Sequence, residues 1–81
     1  MSAEEIFKIL QELISEEFVT SPDSITMDTS FEDDLGANSV DLVELAMAME
    51  ERFDIAEVPE DELSGLKTVG DAVRLLTSKL K

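Results

Sequence analysis

Hydrophobic residues recur at helical intervals in three segments of this 81-residue chain, and each segment follows a residue typical of a helix start. Ser2 and Glu5 form an S-x-x-E capping box before the first segment. Asn38 and Thr68 precede the other two, each with an aspartate three residues later, and the second helix is predicted over residues 39–53. The inward-facing positions that the spacing predicts are Ile6, Leu10, Leu13 and Ile14 in the first helix, Leu42, Leu45, Ala46, Met49 and Phe53 in the second, and Val69, Ala72, Val73, Leu76 and Leu80 in the last.

The segment between the first two helices, residues 19–38, has no sustained hydrophobic period. It contains a proline, a glycine and many Ser, Thr and Asp residues, a composition typical of loops. A loop of this length is unusual in a small domain and needs either a function or anchors in the core. We expect Ile25, Phe31 and Leu35 to provide those anchors.

A shorter helix is predicted within residues 58–66, with Pro59 near its first position and Gly65 close to its end. No segment has strand alternation or an internal repeat. The predicted fold class is therefore all-α: a small four-helix bundle of three longer helices and one short helix, with a long loop between helices one and two. Residues 1–81 are expected to form a single domain.

The charge of the chain restricts its partners. Twenty acidic residues against six basic ones give a formal net charge of −14. Nucleic acids and anionic membrane surfaces would repel such a chain, because binding to them depends on Lys and Arg. We therefore expect protein partners with basic patches, no nucleic acid or membrane partner, and a monomer. The N-terminal segment does not resemble a signal sequence and no apolar run approaches a membrane span, so a cytoplasmic location is predicted.

Ser39 is the residue with candidate chemistry, but the sequence offers nothing to activate it as a catalytic nucleophile. The chain has no histidine and no cysteine, and its six basic residues lie far from Ser39 in the sequence. No specific pattern supports a carboxylate base. We predict that the protein is not an enzyme.

The abundance of acidic residues suggests calcium binding, but the spacing of an EF-hand loop is missing. A loop beginning at Asp28 would put Asp33 at the glycine position, and one beginning at Asp34 would put a serine there. Residues 32–34 and 60–62 could bind divalent cations loosely. No specific metal site is predicted.

Ser39 at the start of the second helix has two interpretations. Serine is common at helix starts, so the residue could serve only as a cap. If Asn38 is the cap, however, Ser39 occupies the first helical position and its hydroxyl is free. A phosphate ester on that hydroxyl would face unpaired backbone N–H groups and the positive end of the helix dipole.

Residues 31–73 carry motifs that resemble the acyl carrier proteins of dissociated (type II) fatty acid and polyketide synthesis, and the resemblance extends over nearly the whole chain. The motifs are the DLG-x-x-S turn ending at Ser39, the helix VELAMAMEERFDI, the proline after it and TVGDAV at the start of the last helix. The resemblance implies an acyl carrier domain over residues 1–81, in which Ser39 carries 4′-phosphopantetheine through a phosphodiester. It also implies that the thiol of this arm holds acyl chains as thioesters. The implied partners are a phosphopantetheinyl transferase, which modifies the serine, and the enzymes of fatty acid synthesis.

Two further sets of residues are predicted for this role. Charged and apolar positions on the exposed part of the second helix would contact partner enzymes, namely Val40, Asp41, Glu44, Met47 and Glu51. Small and flexible side chains of the core would part to admit an acyl chain between helices two and three, namely Leu45, Ala46, Met49, Ala72 and Val73.

The chain departs from the family pattern at two places. Asn38 replaces the aspartate usual before the serine, which removes one charge where the transferase docks, and in the family that aspartate helps to place a magnesium ion. The link FDIAEVP, residues 53–59, is slightly longer than usual. Two alternative functions stay open. One is a specialised carrier of a polyketide, a lipid precursor or an aminoacyl or peptidyl group, and the other is an acidic helical interaction module that is never modified.

Overall fold

The computed structural model describes residues 1–80 and consists of four helices joined by loops. The helices are α1 at Ala3–Phe18, α2 at Ser39–Phe53, α3 at Glu60–Ser64 and α4 at Val69–Lys79. The prediction of an all-α bundle with three longer helices, one short helix and a long first loop is confirmed. A short 3-10 turn at Pro22–Ser24, which the sequence pattern did not indicate, lies within that loop.

The three longer helices each begin with a capping box, in which the cap residue and the third helical residue satisfy one another's backbone N–H groups. The pairs are Ser2 with Glu5, Asn38 with Asp41, and Thr68 with Asp71, as predicted. Because each pair joins residues only three apart, the bonds depend on the local sequence alone, and they fix where each helix starts.

The core lies between α1, α2 and α4, whose inner faces are almost wholly aliphatic. Its buried residues on these helices are Ile6, Leu10, Ile14, Leu45, Ala46, Met49, Phe53, Val69, Ala72, Val73 and Leu76. The predicted inward positions Leu13, Leu42 and Leu80 are only half-buried and pack against the margin of this core. They stand at the edge of each apolar stripe, where a neighbouring helix covers one side of the side chain only.

The long loop reaches the core through Ile25 and Phe31, which are buried as predicted. Leu35, the third predicted anchor, packs against the core but remains half-buried. The next residue, Gly36, has a φ of +65°, a conformation that glycine adopts without steric cost. The chain therefore turns back toward the surface at this point, just before α2 begins.

Main-chain hydrogen bonds also join the loop between α1 and α2 to the start of α4. Ser30 and Thr68 form an isolated antiparallel bridge. The flanking bonds run from Phe31 N to Lys67 O (2.9 Å), from Val69 N to Thr29 O (3.0 Å) and from Gly70 N to Met27 O (2.8 Å). No strand pattern in the sequence indicated this pairing. It fixes the segment that leads into α2 against the opposite side of the bundle.

The short helix α3 has less support than the other three. Pro59 is its N-cap rather than its first helical residue, and among residues 1–80 no side chain makes a capping hydrogen bond there. Its contacts with the bundle include the buried side chain of Leu63 and an ion pair between Glu62 and Lys79, with an N–O distance of 3.0 Å. Helix propensity contributes little over so few residues, so α3 is held mainly by these tertiary contacts.

Val19, which ends α1, adopts an unfavourable backbone conformation. Its φ and ψ are 51° and 56°, in the left-handed region, and its side chain is 90% exposed. That region costs about 1–2 kcal/mol for an L-residue and is especially poor for a β-branched one. The side chain makes too little contact with the core to offset this cost.

We predict that Val19→Gly increases the free energy of unfolding by about 1 kcal/mol, as measured by urea denaturation, because glycine is the preferred residue at this cap. Asp54 ends α2 in a similar conformation, with a φ of 53°, and provides a matched control. Aspartate tolerates the left-handed region better than valine, so Asp54→Gly should give a smaller gain. Destabilisation by Val19→Gly would contradict the prediction.

Candidate functional site

Ser39 is the first residue of α2 and is exposed to solvent. Asn38 takes the cap position, as predicted: its Oδ1 accepts a hydrogen bond from Asp41 N (2.9 Å), and its own N–H donates to Asp41 Oδ2 (3.1 Å). Within residues 1–80 the Ser39 hydroxyl has no hydrogen-bond partner. The helix therefore begins without using this hydroxyl, which stays available for chemistry.

The backbone around Ser39 is suited to an anion. Asp41 N is bonded to the Asn38 side chain and Leu42 N to Asn38 O, but the N–H groups of Ser39 and Val40 make no hydrogen bond within residues 1–80. These two donors lie at the positive end of the α2 dipole. A phosphodiester on Ser39 would be stabilised by both effects.

A cavity of about 670 Å³ opens beside Ser39. It is bounded by the loop before α2, by the first turn of α2 and by the segment from the end of α3 to the start of α4. The residues that line it are Ser30, Phe31, Glu32, Asp33, Ala37, Asn38, Ser39, Leu42, Ser64, Leu66 and Lys67.

Two other serines line the same cavity, but their hydroxyl groups are already engaged. Ser30 Oγ accepts a hydrogen bond from Asp33 N (3.1 Å), and Ser64 Oγ donates one to Asp61 O (2.9 Å). Ser39 is thus distinguished from its neighbours by a free hydroxyl as well as by its place on the helix.

The exposed surface of α2 carries four of the five residues that we predicted to contact partners. Val40 and Met47 are 61% and 60% exposed, and both glutamates, Glu44 and Glu51, are exposed as well. Val43 is also exposed on this side and was missing from the predicted set, although the sequence put it beside Val40 and Met47. These residues span an arc of about 100° on a helical wheel. We call this surface, formed by Val40, Val43, Glu44, Met47 and Glu51, the outer face of α2.

Asp41, the fifth predicted contact residue, lies elsewhere. It is half-buried, and its carboxylate accepts the bond from Asn38 N that completes the capping box. On the helical wheel it is about 100° from Val40, on the side of α2 that meets α1. Its main structural role is therefore in the cap.

All five residues predicted to admit an acyl chain are buried in the core, namely Leu45, Ala46, Met49, Ala72 and Val73. Ala46 alone among them also lines an open groove of about 340 Å³ between α2 and α3. The other apolar residues of this groove are Val43, Met47, Val58 and Leu63. Leu63 was missed because α3 is too short to display a period, and Val58 because it lies in the link before α3. A hydrogen bond from Val58 N to Glu50 Oε2 (2.9 Å) ties the α2–α3 link to α2.

The structure also forms an acidic cluster that the sequence did not indicate, since the carboxylates of Glu17, Asp41 and Glu44 approach within 4.8 Å of one another. Hydrogen bonding between the Glu44 and Glu17 carboxyl groups, partial desolvation and the negative charges of Glu44 and Asp41 together raise the pKa of Glu17. The cluster joins the end of α1 to the first turn of α2. Runs of neighbouring acidic residues gave no signal for it, because Glu17 on α1 lies 24 or more positions from Asp41 and Glu44 on α2.

The pKa values of two carboxylates in helix caps, Glu5 and Asp71, are shifted in the opposite direction. Hydrogen bonds from the Ser2 backbone and hydroxyl lower the pKa of Glu5, and backbone N–H donors of Thr68 and Lys67 lower the pKa of Asp71. Arg74, which forms an ion pair with Asp71, acts in the same sense. Repulsion between carboxylates thus raises the pKa of Glu17, whereas hydrogen bonds in two helix caps favour the ionised forms of Glu5 and Asp71.

None of the helices in the described part of the chain is both long and apolar enough to cross a membrane.

Comparisons with known proteins agree on one family. The family described as "Phosphopantetheine attachment site" matches residues 8–76. An acyl carrier protein of Lactobacillus acidophilus is 49% identical over 78 residues, which cover 96% of each chain, and one of Prochlorococcus marinus is 44% identical over 79 residues, which cover 98% of each chain.

Solved structures give the same result for the fold. An acyl carrier protein from Enterococcus faecalis is 29% identical with a TM-score of 0.79 and covers 98% of this chain and 99% of its own. One from Thermotoga maritima, 24% identical, superposes with a TM-score of 0.83 over 99% of this chain and 92% of its own.

The acidic cluster makes the stability of the fold dependent on pH. Because the pKa of Glu17 is raised in the folded protein, the folded state binds a proton there more tightly than the unfolded chain does. The repulsion is fully present above the raised pKa and is relieved as the pH falls through it. The contribution of this repulsion to the free energy of unfolding therefore changes with pH in the range just above 4.5, the ordinary pKa of glutamate.

We predict that Glu44→Gln raises the free energy of unfolding at neutral pH and weakens its dependence on pH in this window. The substitution removes one charge and supplies an amide that can donate to Glu17. The measurement is urea denaturation at fixed ionic strength over a series of pH values. Glu16→Gln is the matched control, because Glu16 is an exposed residue of α1 outside the cluster. Equal effects of the two substitutions would show that only net charge matters.

Proposed function

This chain belongs to the acyl carrier protein family, whose cofactor is 4′-phosphopantetheine, and we propose that Ser39 is the residue that carries this group as the protein shuttles acyl chains between the enzymes of fatty acid synthesis. The group supplies a thiol on which an acyl chain is held as a thioester. The contribution of the protein is to present the attachment point, to recognise partners and to shelter the cargo.

One observation carries the assignment of Ser39. Within residues 1–80 its hydroxyl is free at the first position of α2, beside two unpaired backbone N–H groups and a cavity of about 670 Å³. The residues present therefore fit a phosphodiester followed by a flexible arm. Asn38 caps the helix as aspartate would, but without a carboxylate next to the phosphodiester. The transferase that modifies this chain must accept that difference.

The outer face of α2 is proposed as the docking surface for partner enzymes. It begins one residue after Ser39, so a partner bound there would have its active site near the attachment point. Val40, Val43 and Met47 offer an apolar centre, and Glu44 and Glu51 attract basic patches. The net charge of −14 would accelerate the approach of a basic partner.

The groove between α2 and α3 is proposed as the entrance for the acyl chain. Ala46 and Leu63 line it and also belong to the core, so a modest outward shift of α3 would extend the groove toward Met49. Burial of each CH₂ group contributes about 0.8 kcal/mol, which can offset the cost of that shift. The small side chain of Ala46 leaves room for the chain at the point where it would enter.

We predict that incubation with coenzyme A and a broad-specificity transferase adds the mass of one phosphopantetheinyl group to the wild-type chain and none to Ser39→Ala. Intact-mass spectrometry is the measurement. Ser64→Ala is the matched control, since Ser64 lines the same cavity but its hydroxyl is bonded to Asp61 O. Equal labelling of Ser39→Ala would remove Ser39 from this role. A wild-type chain that gains no mass would instead support the unmodified interaction module.

We also predict that Glu44→Lys slows association with a purified basic transferase several-fold at low salt and flattens the dependence of the association rate on salt. Folding should be retained, because the change also relieves repulsion on Glu17. Glu12→Lys on α1 makes the same change in net charge away from the outer face of α2 and should have a smaller effect. If both variants slow association equally, net charge steers the encounter and the docking surface lies elsewhere.

A further inference from the structure

The cavity beside Ser39 has an apolar floor and a polar rim. Phe31 and Leu66 are buried and Leu42 is half-buried, and these three side chains form the floor. The rim is formed by hydroxyl and charged groups. This combination suits a ligand that has methyl and methylene groups between amides, with an anionic group at one end.

Charges on the rim are unevenly distributed. Glu32 and Asp33 lie on the wall formed by the loop, and Lys67 lies on the wall formed by the segment between α3 and α4. Among the described residues that line the cavity, Lys67 is the only cation. A phosphodiester at Ser39 would thus have repulsive charges on one side and a single attractive charge on the other.

In the described part of the chain, hydrogen bonds hold the backbone of Lys67, whereas its ammonium group is not engaged. Its N–H donates to Asp71 Oδ2 (3.0 Å), and its carbonyl accepts a hydrogen bond from Phe31 N (2.9 Å). Within residues 1–80 the side chain forms no ion pair, in contrast to Arg74 and Lys79. Lysine is a compact point charge on a flexible stem and binds phosphate well from such a fixed base.

We propose that Lys67 pairs with the phosphodiester on Ser39 and holds the first part of the arm against the floor of Phe31, Leu42 and Leu66 when no enzyme is bound. This inference rests on the proposed function of Ser39. Lys67 is a positioning residue here. It would limit the motion of the arm at rest, and a partner with its own basic groups would compete for the phosphodiester and release the arm.

The test begins with complete conversion of each variant to the modified form, verified by intact mass. Backbone amide NMR shifts of the unmodified and modified forms are then compared. In the wild type, modification should shift the amides of Phe31, Leu66 and Lys67, and added salt should diminish those shifts. Lys67→Gln should lose most of the shifts and most of their salt dependence, and the methyl groups of the arm should relax as more mobile. Lys67→Arg should restore both properties.

Lys8→Gln is the matched control, because it removes a lysine on α1 outside the cavity and should behave as the wild type. Retention of wild-type shifts and arm relaxation in Lys67→Gln would overturn the proposal, as would the lack of any shift at the floor in the modified wild type. Failure of the wild type to gain mass is a different result. It would refute the proposed function, and this inference with it.

Discussion

Phe31 is the residue through which the loop, the core and the site are joined. Its side chain is 1% exposed and lines the cavity beside Ser39. Its N–H donates to Lys67 O (2.9 Å), and its carbonyl accepts a bond from Ala37 N (2.7 Å), immediately before the α2 cap. Hydrophobic burial and two main-chain bonds at one residue therefore fix the start of α2 relative to α4. The position of Ser39 is a consequence of that arrangement.

The position of each carboxylate decides whether its negative charge stabilises or destabilises the fold. Glu5 and Asp71 are part of helix caps, so their negative charges stabilise the backbone donors at those helix starts. Asp41 does the same for α2 but also lies beside Glu17 and Glu44. The start of α2 is thus well capped, yet it carries the electrostatic repulsion of this cluster. Such a balance is consistent with a small domain whose net stability is a small difference between large terms.

Sequence reasoning predicted the features that depend on neighbouring residues. The capping pairs, the bounds of α2 and the free hydroxyl of Ser39 all follow from contacts within one helical turn. It could not place features that arise when distant segments meet. The Ser30–Thr68 bridge and the Glu17 cluster lack a local period and depend on how the helices are arranged. Asp41 was assigned to the outer surface because charge suggests exposure, whereas the helical period places it on the side of α2 that meets α1, where its carboxylate completes the cap. The role of Ser39 itself came from family resemblance, since an unactivated serine has no local chemical signature.

Helix α3 lies between the groove beside α2 and the cavity beside Ser39. Leu63 faces the groove beside α2, while Ser64 and Leu66, at its end, line the cavity beside Ser39. It has five residues and no side-chain cap, so it can move at lower cost than the three longer helices. A displacement that enlarges one space must reshape the other. Coupling between two binding sites is reciprocal. If a ligand in the groove changed the binding free energy in the cavity, a ligand in the cavity would change the binding free energy in the groove by the same amount. A shift of α3 on occupation of one space would therefore alter binding in the other.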